Sequence, residues 1–336
     1  MIPRIPDPEH RPAWQLQLAR AVRSVDELLR LLDIDPTRHR IQPLVSDFPL
    51  RVPHAFVARM ARGDIHDPLL RQVLPLSEET RQVKGFVTDP LGELDAMPSP
   101  GLLHKYRGRA LLTVTGACAV HCRYCFRRHF PYPDANPAGA QWEQAIDYLA
   151  RHPDIHEIIL SGGDPLSLPD HRLQALSERL STLPQLRTLR IHSRLPIVLP
   201  ERIDRGLLGW IGQQRLRVVL VVHCNHANEI DEPVARAMQR LAQAGVTLLN
   251  QSVLLRGVND DAGALIHLSE SLFDAGILPY YLHRLDRVQG TAHFEVDAHR
   301  TGALYSALHA ALPGYLVPRL VEEIPGNPGK SAVRWP

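Results

Sequence analysis

Cys118, Cys122 and Cys125 fall within eight positions of one another in "GACAVHCRYCFRRHF", and they are three of only four cysteines in the chain. So few thiols cannot build a disulfide scaffold, and three of them on one stretch point to metal binding or catalysis. Cys-x3-Cys-x2-Cys spacing lets three thiolates converge on one centre. A structural zinc site takes four protein ligands, so His121 or His129 would have to supply the fourth. A [4Fe-4S] cluster held by three cysteines instead leaves one iron open to a further ligand. Cys224 stands alone at the end of an apolar run and reads as a buried thiol.

The second chemically pointed feature is a scarcity. Of 38 basic residues only Lys84, Lys105 and Lys330 are lysine. Where a chain otherwise takes its positive charge from arginine, a retained lysine draws attention as an amine, because lysine forms a Schiff base and arginine does not. Lys330 lies in "PGNPGKS", among glycines and prolines that suit a presenting loop.

The elements that must position these groups follow from periodicity. Residues 1–105 are rich in Pro and Arg, with helical spacing in "PAWQLQLARAVRSVDELLRLLDI". From residue 109 a different rhythm begins. Short β-rich runs occur at 109–115, 155–162, 186–193, 216–223, 246–255 and 277–283. Amphipathic helical stretches such as "QWEQAIDYLARH" and "DEPVARAMQRLAQAG" lie between most of them. A repeat of roughly 30 to 45 residues is the size of one βα unit. Six units imply a parallel sheet, either doubly wound or curled into a full or partial barrel. Ligands in such folds bind beyond the C-terminal strand ends. There the sequence carries the cysteines, then "SGGDP", "HSR", "HCNHANE" and "HRLD", with "NQS" inside the fifth run.

Composition is that of a soluble globular chain, 44% hydrophobic and 22% charged, with net charge +2. That balance argues against a general nucleic-acid binder. The longest apolar runs fall far short of the roughly 20 residues of a membrane span. "MIPRIPDPEHRPAW" has no apolar core of a signal peptide. The expectation is a cytoplasmic protein.

With Tyr124 before the last cysteine, the cysteine motif resembles that of the radical S-adenosylmethionine (SAM) superfamily. "SGGDPL", "HSRLPIVLPERI", "NHANEI", "NQSVLLRGVNDD", "PYYLHRLD" and the "PG..GK" stretch follow in an order similar to that of the lysine 2,3-aminomutases, over about residues 85–330. The resemblance implies a partial (β/α)6 barrel at 106–314, a largely helical N-terminal extension at 1–105 and a C-terminal segment at 315–336. It also implies three cofactors: a [4Fe-4S] cluster on Cys118, Cys122 and Cys125, SAM, and pyridoxal 5'-phosphate (PLP) on Lys330. Gly162 and Gly163, lacking a Cβ, would let backbone approach the SAM ammonium. Arg127 matches the clamp on the substrate carboxylate, with Arg128 a surface or cluster-shell charge. Asp286 and Glu323 match two carboxylates that hold the distant ammonium of lysine; Glu323 stands where the fermentative enzymes have Asp. Lys105, Arg109, Arg194 and Gln251 are candidates for the PLP phosphate. His223, with Asn225, faces SAM or PLP, or else packs in the core.

The chain ends six residues after Lys330. This, with Glu323 and "GYLVPRLVEEI", resembles the short bacterial branch that makes (R)-β-lysine for attachment to elongation factor P. The resemblance implies L-lysine as substrate, an electron donor such as flavodoxin, transfer of product to a separate ligase, and a monomer or homodimer. Arginine also suits two carboxylates and stays open as substrate. A non-catalytic zinc or iron–sulfur module is the alternative of a different class.

Overall fold

Among the described residues, nine strands lie side by side in the order in which the chain makes them. The computed structural model describes residues 12–38, 48–132 and 140–333, so residues 1–11 of the N-terminal stretch read for export lie outside the described residues. β1 (Leu102–Tyr106) is antiparallel to β2 (Arg109–Thr115). Then β3 (Glu157–Gly162), β4 (Thr188–Ser193), β5 (Arg217–Val222), β6 (Thr247–Val253), β7 (Leu278–His283) and β8 (Arg319–Glu322) each add in parallel. β9 (Ser331–Ala332) closes the row antiparallel to β8. A doubly wound sheet must reverse its strand order somewhere, and this one never does. Its edge strands β1 and β9 do not pair with each other, so the sheet is an open, partial barrel.

Strands β2–β7 coincide with the six apolar runs to within one or two residues at most ends. The helices between them begin where polar caps permit. Asp204, Asp231, Asp261 and Asp297 each accept a backbone N–H of the first turn of the helix that follows, at Arg205–Gly212, Glu232–Gln243, Ala262–Asp274 and Ala298–Ala311. Three features fall outside the expected rhythm: β1, the short β8 and β9, and the helix Ala298–Ala311, whose apolar residues are not confined to one face.

The N-terminal helical stretch is two helices, Ala13–Ala19 and Val25–Leu31. Ser24 starts the second by accepting the Glu27 N–H, and an antiparallel bridge from Val22 to Val52 occupies the gap. Trp14, Leu28, Phe56 and Leu69 of this region join Leu112, Ile158, Leu189 and Leu220 in one continuous apolar core. The extension therefore packs onto the barrel through the same buried surface that holds its strands. Among the described residues, no helix is long and apolar enough to cross a membrane.

Candidate active site

Strand alternation sends every second side chain of the parallel strands into one cavity of about 700 Å³. Arg109, Ser161, His192, Gln251 and His283 enter it from β2, β3, β4, β6 and β7, and the cysteine loop closes one end. The residues read from sequence as site candidates all line it: the three cysteines, Lys105, Arg109, Arg127, Gly162, Gly163, Arg194, His223, Gln251, Asp286, Glu323 and Lys330.

The cysteine loop follows β2 and is tied down from the N-terminal extension. The Arg123 backbone N–H donates to the Gln72 carbonyl at 2.9 Å. Its fully buried guanidinium donates to both oxygens of Glu79, at 2.8 and 2.5 Å, and to the Phe48 carbonyl at 2.7 Å. Arg128 donates to the same Glu79 at 2.7 Å, so it is a buried partner of the loop's anchor and not a surface charge.

On the other side the loop lies against the end of β3. Gly163 and Asp164 donate to the carbonyls of Thr115 and Ala117, each at 2.7 Å. A Cβ on Gly162, whose φ is +118°, would stand 2.5 Å from the Thr115 carbonyl oxygen, and one on Gly163 would stand 2.4 Å from that of Ala117. The first demand on these glycines is thus close packing of backbone on backbone. Asp164 spans the next gap, accepting from Ser193 Oγ and from the Arg194 and Leu195 N–H groups.

Burial, with Cys125 and Asp164 nearby, pushes the Cys118 thiol well up. Burial and Cys122 raise Cys125 to about 11. Two buried thiols of raised pKa, Cys118 and Cys125, crowded in one loop are a costly arrangement that metal binding relieves by replacing their protons. Arg194 Nη1 donates to Cys122 Sγ at 2.8 Å, a contact suited to a thiolate. Among the described residues, no three His, Cys, Asp or Glu side chains meet at one point as a single ion demands. The ring nitrogens of the two histidines considered for zinc face backbone carbonyls: His121 Nδ1 that of Pro49 at 2.8 Å, and His129 Nε2 that of Gln289 at 3.2 Å. Cys224 is buried in the apolar core.

Lys330 lies at the opposite end, beside β9. Its Nζ is 3.0 Å from His283 Nε2 and 3.7 Å from Glu323 Oε2, with the Tyr281 ring 5.2 Å away. Burial lowers the pKa of the amine against the opposing pull of Glu323 and Asp286. Burial, then the neighbouring Glu323, raises Asp286 to about 7. Glu323 itself ends lower than usual, because Lys330 and Lys105 outweigh the cost of its burial. Lys105 is spent on Glu323 at 3.3 Å and the Leu91 carbonyl at 3.0 Å.

Between the two ends stands Arg127. Its Nε and Nη2 donate to the two oxygens of Glu93, at 2.6 and 2.7 Å, and its Nη1 donates to Ser161 Oγ at 2.9 Å. Burial disfavours its charge, but Glu93 outweighs that and pushes its pKa up. Gln251 Nε2 and His223 Nε2 lie 2.9 Å apart, and burial lowers His223 to about 3. Arg109 lies against the Tyr106 ring at 4.7 Å. Sequence reasoning missed Glu93, His192, His283 and Tyr281 as site residues. For His192 the available signal was its place in "HSR", and for Tyr281 and His283 their place in "PYYLHRLD"; Glu93, in an irregular stretch, offered none.

This end-to-end arrangement, a three-cysteine loop at the rim of an open parallel barrel, defines a radical SAM enzyme, and residues 112–205 match the Radical SAM superfamily. Relatives narrow it. The chain is 51% identical to L-lysine 2,3-aminomutase of Escherichia coli (strain K12), over 96% of this chain and 94% of that one. It is 47% identical to the Haemophilus influenzae L-lysine 2,3-aminomutase, over 98% of both chains. The Clostridium subterminale L-lysine 2,3-aminomutase is 34% identical over 95% of this chain and 77% of that protein. The chain belongs to the L-lysine 2,3-aminomutase family.

The family's cofactors are a [4Fe-4S] cluster, SAM and PLP, and the residues present fit them. The crowded cysteines, with a buried guanidinium on one sulfur, suit a cluster. A buried amine of lowered pKa, facing a neutral imidazole in a cavity that also holds Arg109, suits an aldehyde cofactor bearing phosphate.

Proposed function

We propose that this protein converts L-lysine to (R)-β-lysine by radical 2,3-migration of the amino group. The observation that carries the reading is that Lys330, Asp286, Glu323, Arg127 and the three cysteines open on one cavity. When bound, the cluster and SAM supply a carbon radical and PLP supplies the π-system across which the nitrogen moves.

The chain's own residues do the rest. Arg127 receives the substrate carboxylate, its plane set by Glu93, Ser161 and the Gly162 carbonyl. Asp286 and Glu323 receive the ammonium at the far end of the substrate. The requirement for both an anion partner and a cation partner selects a basic amino acid and disfavours glutamate. Lys330 holds PLP, and His283 accepts from its amine. Arg109 is the foremost partner for the phosphate among the four candidates, because Lys105 faces Glu323, Arg194 faces Cys122 and Gln251 faces His223. Gly162, Gly163 and His223 line the SAM end.

The product serves β-lysylation of elongation factor P through a separate ligase, with electrons drawn from a donor such as flavodoxin, in a cytoplasmic monomer or homodimer. Support comes from Glu323 and from a likeness stronger toward the E. coli and H. influenzae relatives than toward the clostridial one. A division at residues 105 and 314 into extension, barrel and PLP-bearing segment belongs to the same reading.

The test is anaerobic: reconstituted protein with PLP, SAM, a strong reductant and L-lysine or L-arginine, analysed by mass spectrometry. β-Lysine formation supports the reading. SAM cleavage with lysine untouched removes the substrate assignment.

A further inference from the structure

Arg194 is buried at the end of β4, and its hydrogen bonds do not reach the Lys330 end of the cavity. Nη1 donates to Cys122 Sγ at 2.8 Å. Nη2 donates to Gln72 Oε1 at 2.6 Å and to Glu229 Oε2 at 3.0 Å. The rings of Phe56 and Tyr124 lie 5.3 and 5.6 Å from the guanidinium carbon. Gln72 is held in turn: it donates to Glu229 Oε1 at 3.0 Å and accepts from Asn225 Nδ2 at 3.0 Å. Both Nη groups of this arginine are therefore held, Nε is buried with no partner among the described residues, and the group that Nη1 is aimed at is a sulfur.

We propose that Arg194 tunes the reduction potential of the cluster through its hydrogen bond to the Cys122 sulfur, with Gln72 and Glu229 as the groups that aim it. This rests on the reading of Cys118, Cys122 and Cys125 as cluster ligands. Reduction adds a negative charge to the cluster, and a cation donating to a ligand sulfur stabilises the reduced form more than the oxidised one. Low dielectric strengthens the effect at this buried position. Glu229 offsets part of the charge, so the guanidinium raises the potential without making the cluster a poor reductant. Gln72 belongs to the N-terminal extension, which thereby acquires a chemical task beyond covering the barrel: it fixes the orientation of a redox-tuning cation.

The test is an EPR-monitored redox titration of the full-length, reconstituted protein and of Arg194→Gln and Arg194→Lys, each assayed first for iron and acid-labile sulfide. The expected result is a shift to more negative potential in Arg194→Gln. Arg194→Lys keeps the charge but cannot reach Cys122, Gln72 and Glu229 together, so its shift is smaller and in the same direction. A fully loaded Arg194→Gln at the parent potential overturns the proposal. If Arg194→Gln takes up no cluster, Arg194→Lys decides by the same criterion. A parent protein that takes up no iron overturns the cluster assignment itself, a separate failure with a separate readout.

Discussion

Lys330 Nζ faces His283 Nε2 at 3.0 Å, and burial, followed by the charge on Lys330, holds that imidazole well below the ordinary histidine range. The amine thus has a neutral acceptor beside it, in a place where burial already lowers its own pKa. Lys330→Ala and Lys330→Arg are expected to lose the visible absorbance of protein-bound PLP together with all aminomutase activity. His283→Phe should keep the absorbance band but move its pH dependence. An unchanged band in Lys330→Ala would remove Lys330 from its role.

Glu323 sits between two lysines, 3.3 Å from Lys105 and 3.7 Å from Lys330. Charge-assisted hydrogen bonds contribute about 1.5–3 kcal/mol. Glu323→Gln should therefore raise the KM for lysine by roughly 10- to 100-fold with a smaller effect on kcat, as steady-state assays would show. Glu323→Asp keeps the charge and should cost less.

Asp286 has its pKa raised to about 7, first by burial and then by Glu323. The folded state thus holds a proton that the unfolded chain releases near pH 4. The stability linked to that proton is complete below pH 4 and is lost as pH rises through 7. Asp286→Asn should melt higher than the parent at pH 8 in the absence of substrate, and the difference should shrink steadily toward pH 4. A gain that is equal at both pH values contradicts the assignment.

Glu79 receives both Arg123 and Arg128 with almost no exposure. Glu79→Gln leaves two buried guanidinium groups short of a counter-charge. Breaking a buried pair costs about 3–5 kcal/mol. Urea denaturation should report a loss of that order, and iron content should fall with it, because Arg123 lies between Cys122 and Cys125.

A Cβ at Gly163 meets the Ala117 carbonyl oxygen at 2.4 Å and the Gly116 carbonyl carbon at 2.7 Å. Both are backbone, so neither rotates away. Gly163→Ala should destabilise the fold by about 1–3 kcal/mol, as overpacking does, and reduce cluster incorporation. Gly245→Ala, which has open space but a φ of +83°, serves as a control for backbone strain without crowding.

Much of the barrel was legible because each βα unit is a local pattern. Alternation over 247–253 and helical spacing over 262–274 are decided within a few residues, and both elements form where the pattern says. Two features were not. Ser24 interrupts one helical stretch by capping a second helix, a choice made by a single side chain against the surrounding periodicity. β8 and β9 are short segments whose strand character exists only through their pairing with β7 and with each other.

By itself the sequence determined the order of the βα units, the three-cysteine spacing and the one lysine poised near its end, because these depend on neighbours along the chain. The tertiary structure decided which charge meets which. Glu93 lies 34 residues from Arg127, and Gln72 lies 122 from Arg194. No periodicity links such partners. They meet because the N-terminal extension shares its apolar core with the barrel, and a buried guanidinium must find carboxylate or carbonyl oxygens wherever that packing brings them.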